Sequence, residues 1–218
     1  MPRFLMSVVL LTMSAWTHHA LAASFDCARA GSSVERMICT DPTLSDLDDL
    51  LSAVYRSHER DSDEDGSPVV ERAILEAQKR WLAARNACGD SDCLEKRYEE
   101  RIGALAPCPT GRRGTDELCI AMVEQAERAL QREEQRSSAQ LAKSFATYTN
   151  AEDYVAAAQD ALRETQAAWR AFRNAECAYE PLRAGMSFGY SADVTVLCKL
   201  EMTRKRRALL KAATPKDD

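Results

Sequence analysis

Histidine is scarce in this chain of 218 residues. There are three histidines, and two of them, His18 and His19, lie in an N-terminal segment that we expect to be removed. His58 is then the one histidine of the mature chain. A single imidazole excludes a multi-histidine zinc site and leaves at most one histidine for acid and base catalysis.

The chain also lacks a dense basic stripe. Lys and Arg number 29 against 34 Asp and Glu, which gives a formal net charge of −5. One short basic run covers residues 204–207. It could contact anionic lipid or cell-wall polymer, but its place in an amphipathic helix favours a solvated helix face. We therefore expect no nucleic-acid partner, because such proteins concentrate positive charge where they contact phosphates.

No apolar run reaches the ~20 residues that a transmembrane helix needs. The run over residues 4–16 follows Arg3 and precedes the small-residue sequence of residues 20–22, which is the pattern of a cleaved signal peptide. We expect residues 1–22 to be this signal peptide, with cleavage near Ala22 and Ala23. The mature protein is then soluble, has no transmembrane segment, and resides in the periplasm or is secreted.

Cysteine is abundant, and all eight cysteines lie in the mature part. A lipoprotein would carry a cysteine directly after the cleavage site, whereas the first one here is Cys27. An even number of cysteines in an oxidising compartment predicts a disulfide framework. The eight residues are Cys27, Cys39, Cys88, Cys93, Cys108, Cys119, Cys177 and Cys198.

The spacing of the cysteines reveals an internal repeat. In each half, two cysteines 12 or 11 residues apart are followed by a tryptophan, an Arg-Asn dipeptide and another cysteine in nearly the same register. The tryptophans are Trp81 and Trp169, and the arginines are Arg85 and Arg173. This repeat predicts two copies of one unit, at residues 23–106 and 107–213, followed by a tail over residues 214–218.

Both copies read as helical throughout. Apolar residues recur at spacings of three and four, and no segment alternates long enough for a strand. The predicted fold class is all-α, a tandem repeat of small disulfide-stapled antiparallel helical hairpins with a short third helix each. The expected helices run from Asp41-Pro42 into 61–66, from about 69 to 87, from 93 to about 105, from about 116 past Phe145, from Asn150 as cap, and from about 193 to 211.

Two details of the second copy bear on function. Residues 181–190 hold two glycines and a proline, which predicts a loop. The helix that follows Asn150 is expected to turn one apolar face inward. That face comprises Tyr154, Ala158, Ala161, Leu162, Thr165, Trp169 and Phe172.

The repeated tryptophans and arginines admit a structural and a functional interpretation. Trp81 and Trp169 lie on the apolar faces of their helices, which favours core packing over ligand anchoring. Arg85 and Arg173 could present a guanidinium to a sugar or carboxylate. A structural ion pair is favoured, for instance between Arg85 and Asp48, because half-buried arginines need a partner.

The sequence resembles the family named for the lysozyme inhibitor LprI, over nearly the whole mature chain. The first copy carries the resemblance in residues 25–27, 35–39, 81–85 with Cys88, and Cys93 with Tyr98 and Arg101. The second carries it in residues 169–173 with 176–177, and in Cys198 with 202–203 and Arg206. The resemblance implies an exported envelope protein that binds a protein partner, with a basic lysozyme as the leading target.

For the disulfides we predict that successive cysteines form pairs along the chain. The four predicted bonds are Cys27–Cys39, Cys88–Cys93, Cys108–Cys119 and Cys177–Cys198. The alternative in the first copy pairs Cys39 with Cys88 and Cys27 with Cys93, because antiparallel helices bring the start of one near the end of the next.

The best candidate for a blocking element is the segment 182–190, which a bond between Cys177 and Cys198 would close. A preorganised loop loses less entropy on binding, and arginine and aromatic residues are enriched at interface hot spots. The alternative is a stapled connector between helices, since most loops only connect. The candidate binding residues are Arg183, Met186, Ser187, Phe188 and Tyr190.

The acidic run offers an alternative, a calcium site made by Asp61, Asp63 and Asp65. The alternate spacing matches the first half of a calcium loop, but the twelfth position is Arg72 instead of Glu. A solvated turn between two helices is therefore favoured, and we expect neither a bound metal nor a cofactor. His58, beside this run, is expected at the edge of its helix.

An enzymatic function has little support in the sequence. A cysteine nucleophile would need a free thiol beside a base, and no spacing among the 34 acidic residues singles out a catalytic pair. The sequence thus predicts an exported, non-enzymatic binding protein that is a candidate lysozyme inhibitor. The alternatives are an envelope structural or interaction module without a lysozyme target, and a calcium-dependent binder.

Overall fold

The computed structural model describes residues 24–65, 68–105, 117–186 and 188–214, and it leaves out the side chains of residues 57–71 and 188–191. This part of the chain is helical and contains no strand, which confirms the all-α class. After a 3₁₀ turn at Cys27–Arg29, the helices are α1 (Ser33–Thr40), α2 (Pro42–Asp65), α3 (Pro68–Asn86), α4 (Ser91–Leu105), α5 (Glu117–Phe145), α6 (Ala151–Arg183) and α7 (Phe188–Ala213). The expected signal peptide lies outside the described residues.

Helix α1 was not predicted, although its start carries a local signal. Ser32 and Glu35 form a capping box, in which Ser32 Oγ accepts from the backbone N–H of Glu35 at 3.1 Å and Glu35 Oε2 accepts from that of Ser32 at 2.9 Å. Val34 and Ile38 are the buried residues of this helix. Eight residues are too few for the apolar periodicity to reveal the helix, so the cap was the usable signal.

The core belongs to both copies. In the first copy, α1 and α4 pack against α2, and α3 packs against α4. The buried cluster centres on Ile38, Leu47, Leu94, Tyr98 and Ile102. Met122 and Ala126 of α5 and Leu200 of α7 belong to the same cluster. The two units therefore share one apolar core, and neither buries all of its apolar surface alone.

The second copy is a bundle of three long helices, in which α7 packs against both α5 and α6. Five residues, 146–150, connect α5 to α6, and residues 184–187 connect α6 to α7, and such short connections make neighbouring helices antiparallel. Contacts along the pair agree with this direction, because Arg173 bonds to Glu127 while Gln159 bonds to the more C-terminal Ser138.

Ion pairs join the two copies outside the shared core. They are carried by arginines and a lysine of α5 and α7 and by carboxylates of α2 and α4. The pairs are Arg128 and Arg132 with Asp46, Arg204 with Glu99, Arg207 with Glu95, and Lys211 with Asp92 and Glu95.

The prediction of a loop over residues 181–190 is wrong, because α6 runs through Pro181 to Arg183 and α7 begins at Phe188. Proline has no N–H to donate to the carbonyl one turn earlier. The Thr195 hydroxyl of α7 donates to that carbonyl, the Cys177 oxygen, at 3.1 Å. A tertiary contact thus removes the local cost of the proline.

The connection between α6 and α7 is a tight turn. Gly185 has a φ of +68°, a conformation that glycine adopts at no steric cost. Its N–H donates to the Leu182 carbonyl at 3.0 Å, and the Met186 N–H donates to the Pro181 carbonyl at 3.0 Å. This is a Schellman motif, which satisfies the last carbonyls of the helix.

The prediction for the inner face of α6 is also wrong in part. Tyr154, Ala161, Thr165 and Phe172 are exposed, whereas Leu162 and Trp169 are half-buried as expected. The buried residues of α6 are Gln166, Arg173, Cys177 and Pro181. This buried stripe is mostly polar, and its hydrogen bonds, ion pair and disulfide hold it against α5 and α7 in place of the predicted apolar face.

Asn150 occupies the N-cap position of α6 but makes no side-chain capping hydrogen bond, and it has a left-handed φ of 59°. The predicted cap is therefore present in position only. Asp61, Asp63 and Asp65 lie on α2, whose helical backbone runs to Asp65. A calcium loop needs a non-helical backbone there, so the helix contradicts that alternative; the side chains of these residues and of His58 lie outside the described part.

Candidate binding site

The disulfides follow the sequential order wherever both partners are described. Cys27 bonds to Cys39, Cys88 to Cys93, and Cys177 to Cys198. The alternative pairing of the first copy does not occur. Cys119 is disulfide-bonded as well, and the prediction for Cys108 falls on a residue outside the described ones.

The repeated arginine of the first copy is part of a polar network at the edge of the core. Tyr98 donates its hydroxyl hydrogen to Asp48 Oδ1 at 2.7 Å, and Arg85 Nη1 donates to the Tyr98 hydroxyl at 3.3 Å. Arg85 Nη1 lies 4.0 Å from Asp48 Oδ1, which confirms the predicted ion pair. Burial, with the Asp48 charge as second cause, raises the pKa of Tyr98, so the phenol stays a donor.

The second copy repeats this network with other residues. Arg173 bonds to Glu127 on α5 and donates to the Thr203 hydroxyl at 2.7 Å. Thr203 stands five residues after Cys198, as Tyr98 stands five residues after Cys93. Burial lowers the pKa of Arg173, but an arginine retains its charge at any relevant pH.

Each repeated arginine also contacts the tryptophan and the asparagine of its own motif. The guanidinium of Arg85 lies 5.4 Å from the Trp81 ring centroid and donates to Asn86 Oδ1 at 3.1 and 3.0 Å. In the second copy, Arg173 lies 5.1 Å from the Trp169 ring centroid and donates to Asn174 Oδ1 at 3.3 and 3.0 Å. The same set of contacts, in which the arginine lies near the tryptophan ring and donates to the asparagine, occurs in both copies and explains the conserved spacing of Trp, Arg and Asn within the repeat.

A second repeated contact was missed at the sequence level. Arg101 donates to Gln78 Oε1 at 3.1 and 2.9 Å, and Arg206 donates to Gln166 Oε1 at 3.0 Å. Each glutamine stands three residues before the repeated tryptophan, and each arginine eight residues after the last cysteine of its copy. The register of the repeat could have predicted these pairs.

The tryptophans also have structural partners. Trp81 packs against the core, donates its Nε1 hydrogen to the Arg97 carbonyl at 3.0 Å, and meets Tyr98 edge to face. The guanidinium groups of Arg173 and Arg206 lie 5.1 and 5.8 Å from the Trp169 ring centroid. The motif residues therefore stabilise the fold, and a binding surface has to be sought elsewhere.

The structure brings two of the predicted binding residues to the end of the α6–α7 hairpin. Arg183 is the last residue of α6, has a side chain 59% exposed, and bonds to Glu180 at 3.2 Å. Met186 lies in the turn and is 41% exposed. Phe188 and Tyr190 belong to the first turn of α7, but their side chains and residue Ser187 lie outside the described part.

Exposed apolar residues continue from this turn along α6. Phe172, Tyr179 and Leu182 are each more than half exposed. Sequence reasoning missed this stripe because it assigned Phe172 to the core. The bond between the buried Cys177 and the half-buried Cys198 holds α6 and α7 together near the stripe, which restricts the motion of this end of the hairpin.

A polar cleft of about 410 Å³ lies between the two copies. Its lining includes Glu95, Asp92, Arg207 and Lys211, which pair with one another. These charges therefore connect the copies. Within the described ranges, no group of three or more His, Cys, Asp or Glu side chains is placed to hold a metal ion.

None of the described helices combines the length and the apolar character that crossing a membrane requires.

These features define a class of protein, an all-helical tandem repeat whose repeated cysteines, tryptophans and arginines hold the fold together and leave helix faces free for contacts. The chain belongs to the family described as lysozyme inhibitor LprI, whose model matches it twice, at residues 26–105 and 111–210.

Relatives are found among mycobacterial proteins named Lipoprotein LprI, one from Mycobacterium bovis and two from strains of Mycobacterium tuberculosis. Each is 31% identical over 90 residues, which is 38% of this chain and 41% of the relative. The matched part thus spans about two fifths of the length of these relatives. No solved structure matches the chain.

Proposed function

We propose that the protein is an exported, non-enzymatic binding protein that inhibits lysozyme. The observation that carries the proposal is the double match to the lysozyme inhibitor LprI family, which covers most of the chain. Three disulfides among the described residues support export, because such bonds persist in oxidising compartments.

A binding role also agrees with the chemistry of the described side chains. No described cysteine is a free thiol, so none of them is available as a nucleophile. The repeated arginines and the described acidic residues around them are engaged in structural pairs. Inhibition by docking requires a rigid surface and complementary charge, and it requires no reacting group.

Two physical features support lysozyme as the partner. Removal of Arg3 with the signal peptide leaves 28 basic against 34 acidic residues, a net charge of −6, and a negative protein is steered toward a basic one. Lysozymes carry a pair of carboxylates in a cleft, and Arg183 presents a guanidinium at an exposed, rigid turn.

We place the lysozyme-binding surface at the end of the α6–α7 hairpin, on Arg183, Met186, Ser187, Phe188 and Tyr190. Arg183 and Met186 belong to a turn that is closed by two backbone hydrogen bonds and that begins one helical turn after the Cys177–Cys198 bond. A turn held in this way loses little entropy on binding, and exposed methionine and arginine are typical of interface centres.

The test is a titration of a basic lysozyme with the oxidised mature protein, followed by turbidity of a cell-wall suspension and by calorimetry. We expect binding at micromolar concentration or tighter, and a loss of at least about tenfold in affinity for Arg183→Glu combined with Met186→Ser. The matched control is Arg163→Glu, which changes the same charge at an exposed site of the same helix. Absence of binding at micromolar concentration would favour an envelope interaction module without a lysozyme target.

A further inference from the structure

The exposed stripe of α6 has the spacing of a coiled-coil seam. Its eight members follow one another at alternating intervals of three and four residues, and all are exposed except the half-buried Ala158. We call this set the outer seam: Ala158, Ala161, Thr165, Ala168, Phe172, Ala175, Tyr179 and Leu182. It contains no charged residue, which is the pattern of the a and d positions of a heptad repeat.

An exposed apolar stripe of this length on a folded protein indicates that another surface covers it. At 1.5 Å per residue, the seam is about 36 Å long, and a helix face is about 10 Å wide. The resulting patch of roughly 400 Å² is as large as the largest apolar patches of typical monomers, which often mark interaction sites. Phe172, Tyr179 and Leu182 are 56%, 55% and 56% exposed, so most of their apolar surface faces water.

We propose that two copies of this protein pair through their outer seams, with the two α6 helices antiparallel. In an antiparallel pair, each a position faces a d position of the other helix. With the twofold axis beside residue 170, Phe172 faces Ala168 of the second copy, and Tyr179 faces Ala161. Leu182 then faces Ala158, and Thr165 faces Ala175. Each large side chain meets a small one, so every layer is filled without crowding.

A parallel pair does not fit this sequence of sizes. There, each residue faces its own counterpart, so Phe172 would meet Phe172 and Tyr179 would meet Tyr179, while Ala161, Ala168 and Ala175 would leave gaps. Overfilled layers and voids both cost stability. The antiparallel arrangement also opposes the two helix dipoles.

The charges beside the outer seam permit the antiparallel pair. Glu164 is the charged residue on the flank with Ala157, Ala171 and Ala178, and in this register it faces Ala178 of the second copy. No like charges therefore face each other across that flank. The other flank carries Leu162, Trp169, Glu176 and Arg183, and there Glu176 faces Leu162.

The expected affinity follows from the size of the contact. The patch covers roughly 400 Å² in projection, which is less than the about 800 Å² of accessible surface that each partner of a typical specific dimer buries. We therefore expect a dissociation constant on the order of 1–100 µM. The inference rests on α6 alone and is independent of lysozyme binding.

Sedimentation equilibrium of the oxidised mature protein between about 1 and about 200 µM tests the pairing. We expect a reversible dimer, and an association weaker by roughly tenfold or more for Phe172→Glu, because a carboxylate would then be buried against Ala168. Leu209→Glu is the matched control, since Leu209 is 65% exposed on α7 and lies outside the outer seam. Tyr179→Glu replaces the first variant if circular dichroism shows that Phe172→Glu is not folded.

An exchange of sizes tests the register. Ala168→Phe alone crowds two phenylalanine rings into one layer, and Phe172→Ala alone leaves a gap, so each should weaken the dimer by about tenfold. The double variant restores one large and one small residue per layer and should return to within about threefold of the original affinity. In a register shifted by one heptad, Phe172 faces Ala175, and the exchange restores nothing.

Three results would overturn the proposal: a protein that stays monomeric up to about 200 µM, a dimer that is unaffected by a folded Phe172→Glu or its substitute Tyr179→Glu, or a double variant that fails to recover. A monomeric protein whose lysozyme inhibition is lost in Phe172→Glu would assign the outer seam to lysozyme instead. Loss of lysozyme binding with an intact dimer would refute the proposed function and leave the dimer standing.

Discussion

Arg207 on α7 and Glu95 on α4 form an ion pair that joins the two copies across 112 residues of sequence. Arg207 Nη2 donates to Glu95 Oε2 at 2.9 Å, and both side chains are only 13% exposed. Lys211 adds a third partner, at 3.4 Å from the same oxygen. Burial lowers the pKa of Arg207, yet the guanidinium stays charged and depends on Glu95 for its compensation.

Replacing Glu95 with alanine should therefore destabilise the protein. The change leaves Arg207 buried without its main partner, and removal of one member of a buried pair costs several kcal/mol. Because the pair keeps some contact with water, we expect a loss of about 1–3 kcal/mol in the free energy of unfolding. Urea denaturation of the oxidised protein, followed by circular dichroism, measures it.

The control for this prediction is an exposed pair on α7. Lys205 and Glu201 lie 2.6 Å apart with side chains 71% and 62% exposed. Glu201→Ala should change the free energy of unfolding by less than about 1 kcal/mol, since water and salt screen such pairs. Equal effects of the two substitutions would show that the ion pair between the copies contributes no more to the free energy of unfolding than an exposed pair does.

Tyr98→Phe should destabilise the first copy. The substitution keeps the ring but removes the hydroxyl that donates to Asp48, so a buried carboxylate loses a hydrogen bond. We expect a cost of about 1–3 kcal/mol in the free energy of unfolding, measured in urea. Tyr148→Phe, at a ring that is 54% exposed and outside the outer seam, is the control and should be neutral. A neutral Tyr98→Phe would mean that the remaining partners of Asp48, which are Arg85 and the backbone N–H and hydroxyl of Ser24, compensate its charge without the phenol.

The capping box of α1 predicts a pH dependence of stability. Backbone N–H groups of Ser32 and Gly31 donate to the Glu35 carboxylate, and they hold its pKa below the ordinary value of 4.5. A carboxyl group with a lowered pKa in the folded state contributes stability above pH 4.5, and this contribution is lost as the pH falls through the lowered pKa. Glu35→Gln should remove that part of the pH dependence.

Unfolding in urea, repeated at several pH values between about 3 and about 7, measures this difference. The original protein should lose stability more steeply than Glu35→Gln below pH 4.5, and the two curves should run parallel well above it. Glu201→Gln, at an exposed site, serves as the control. Parallel curves over the whole range would show that the capping box carries no proton linkage.

Much of the fold could be predicted from local patterns. The start of α2 at Pro42 and the extent of α5 follow from a proline signal and from regular apolar spacing. The ion pair between Arg85 and Asp48 was predicted because a half-buried guanidinium needs a carboxylate within reach. Each of these depends on interactions within one helix or on one strongly constrained residue.

The candidate binding surface was predicted less well. The segment around Arg183 was expected to be a long loop, because Pro181 breaks a helix in isolation. In the folded chain, Thr195 supplies the missing hydrogen bond from α7, so the helix continues and the turn is short. The exposed position of Phe172 was likewise missed, since an apolar residue at helical spacing has no local feature that tells which stripe will be covered.

By itself, the sequence determined that the protein is helical and that it is built from two related units. Those properties follow from periodicity and repetition, whereas the choice between the two cysteine pairings of the first copy came from the structure. Tertiary structure alone decided that the units share one core and ion pairs such as Arg207 with Glu95. It also decided which stripe of α6 faces water, because burial depends on the elements that surround a helix and not on the helix itself.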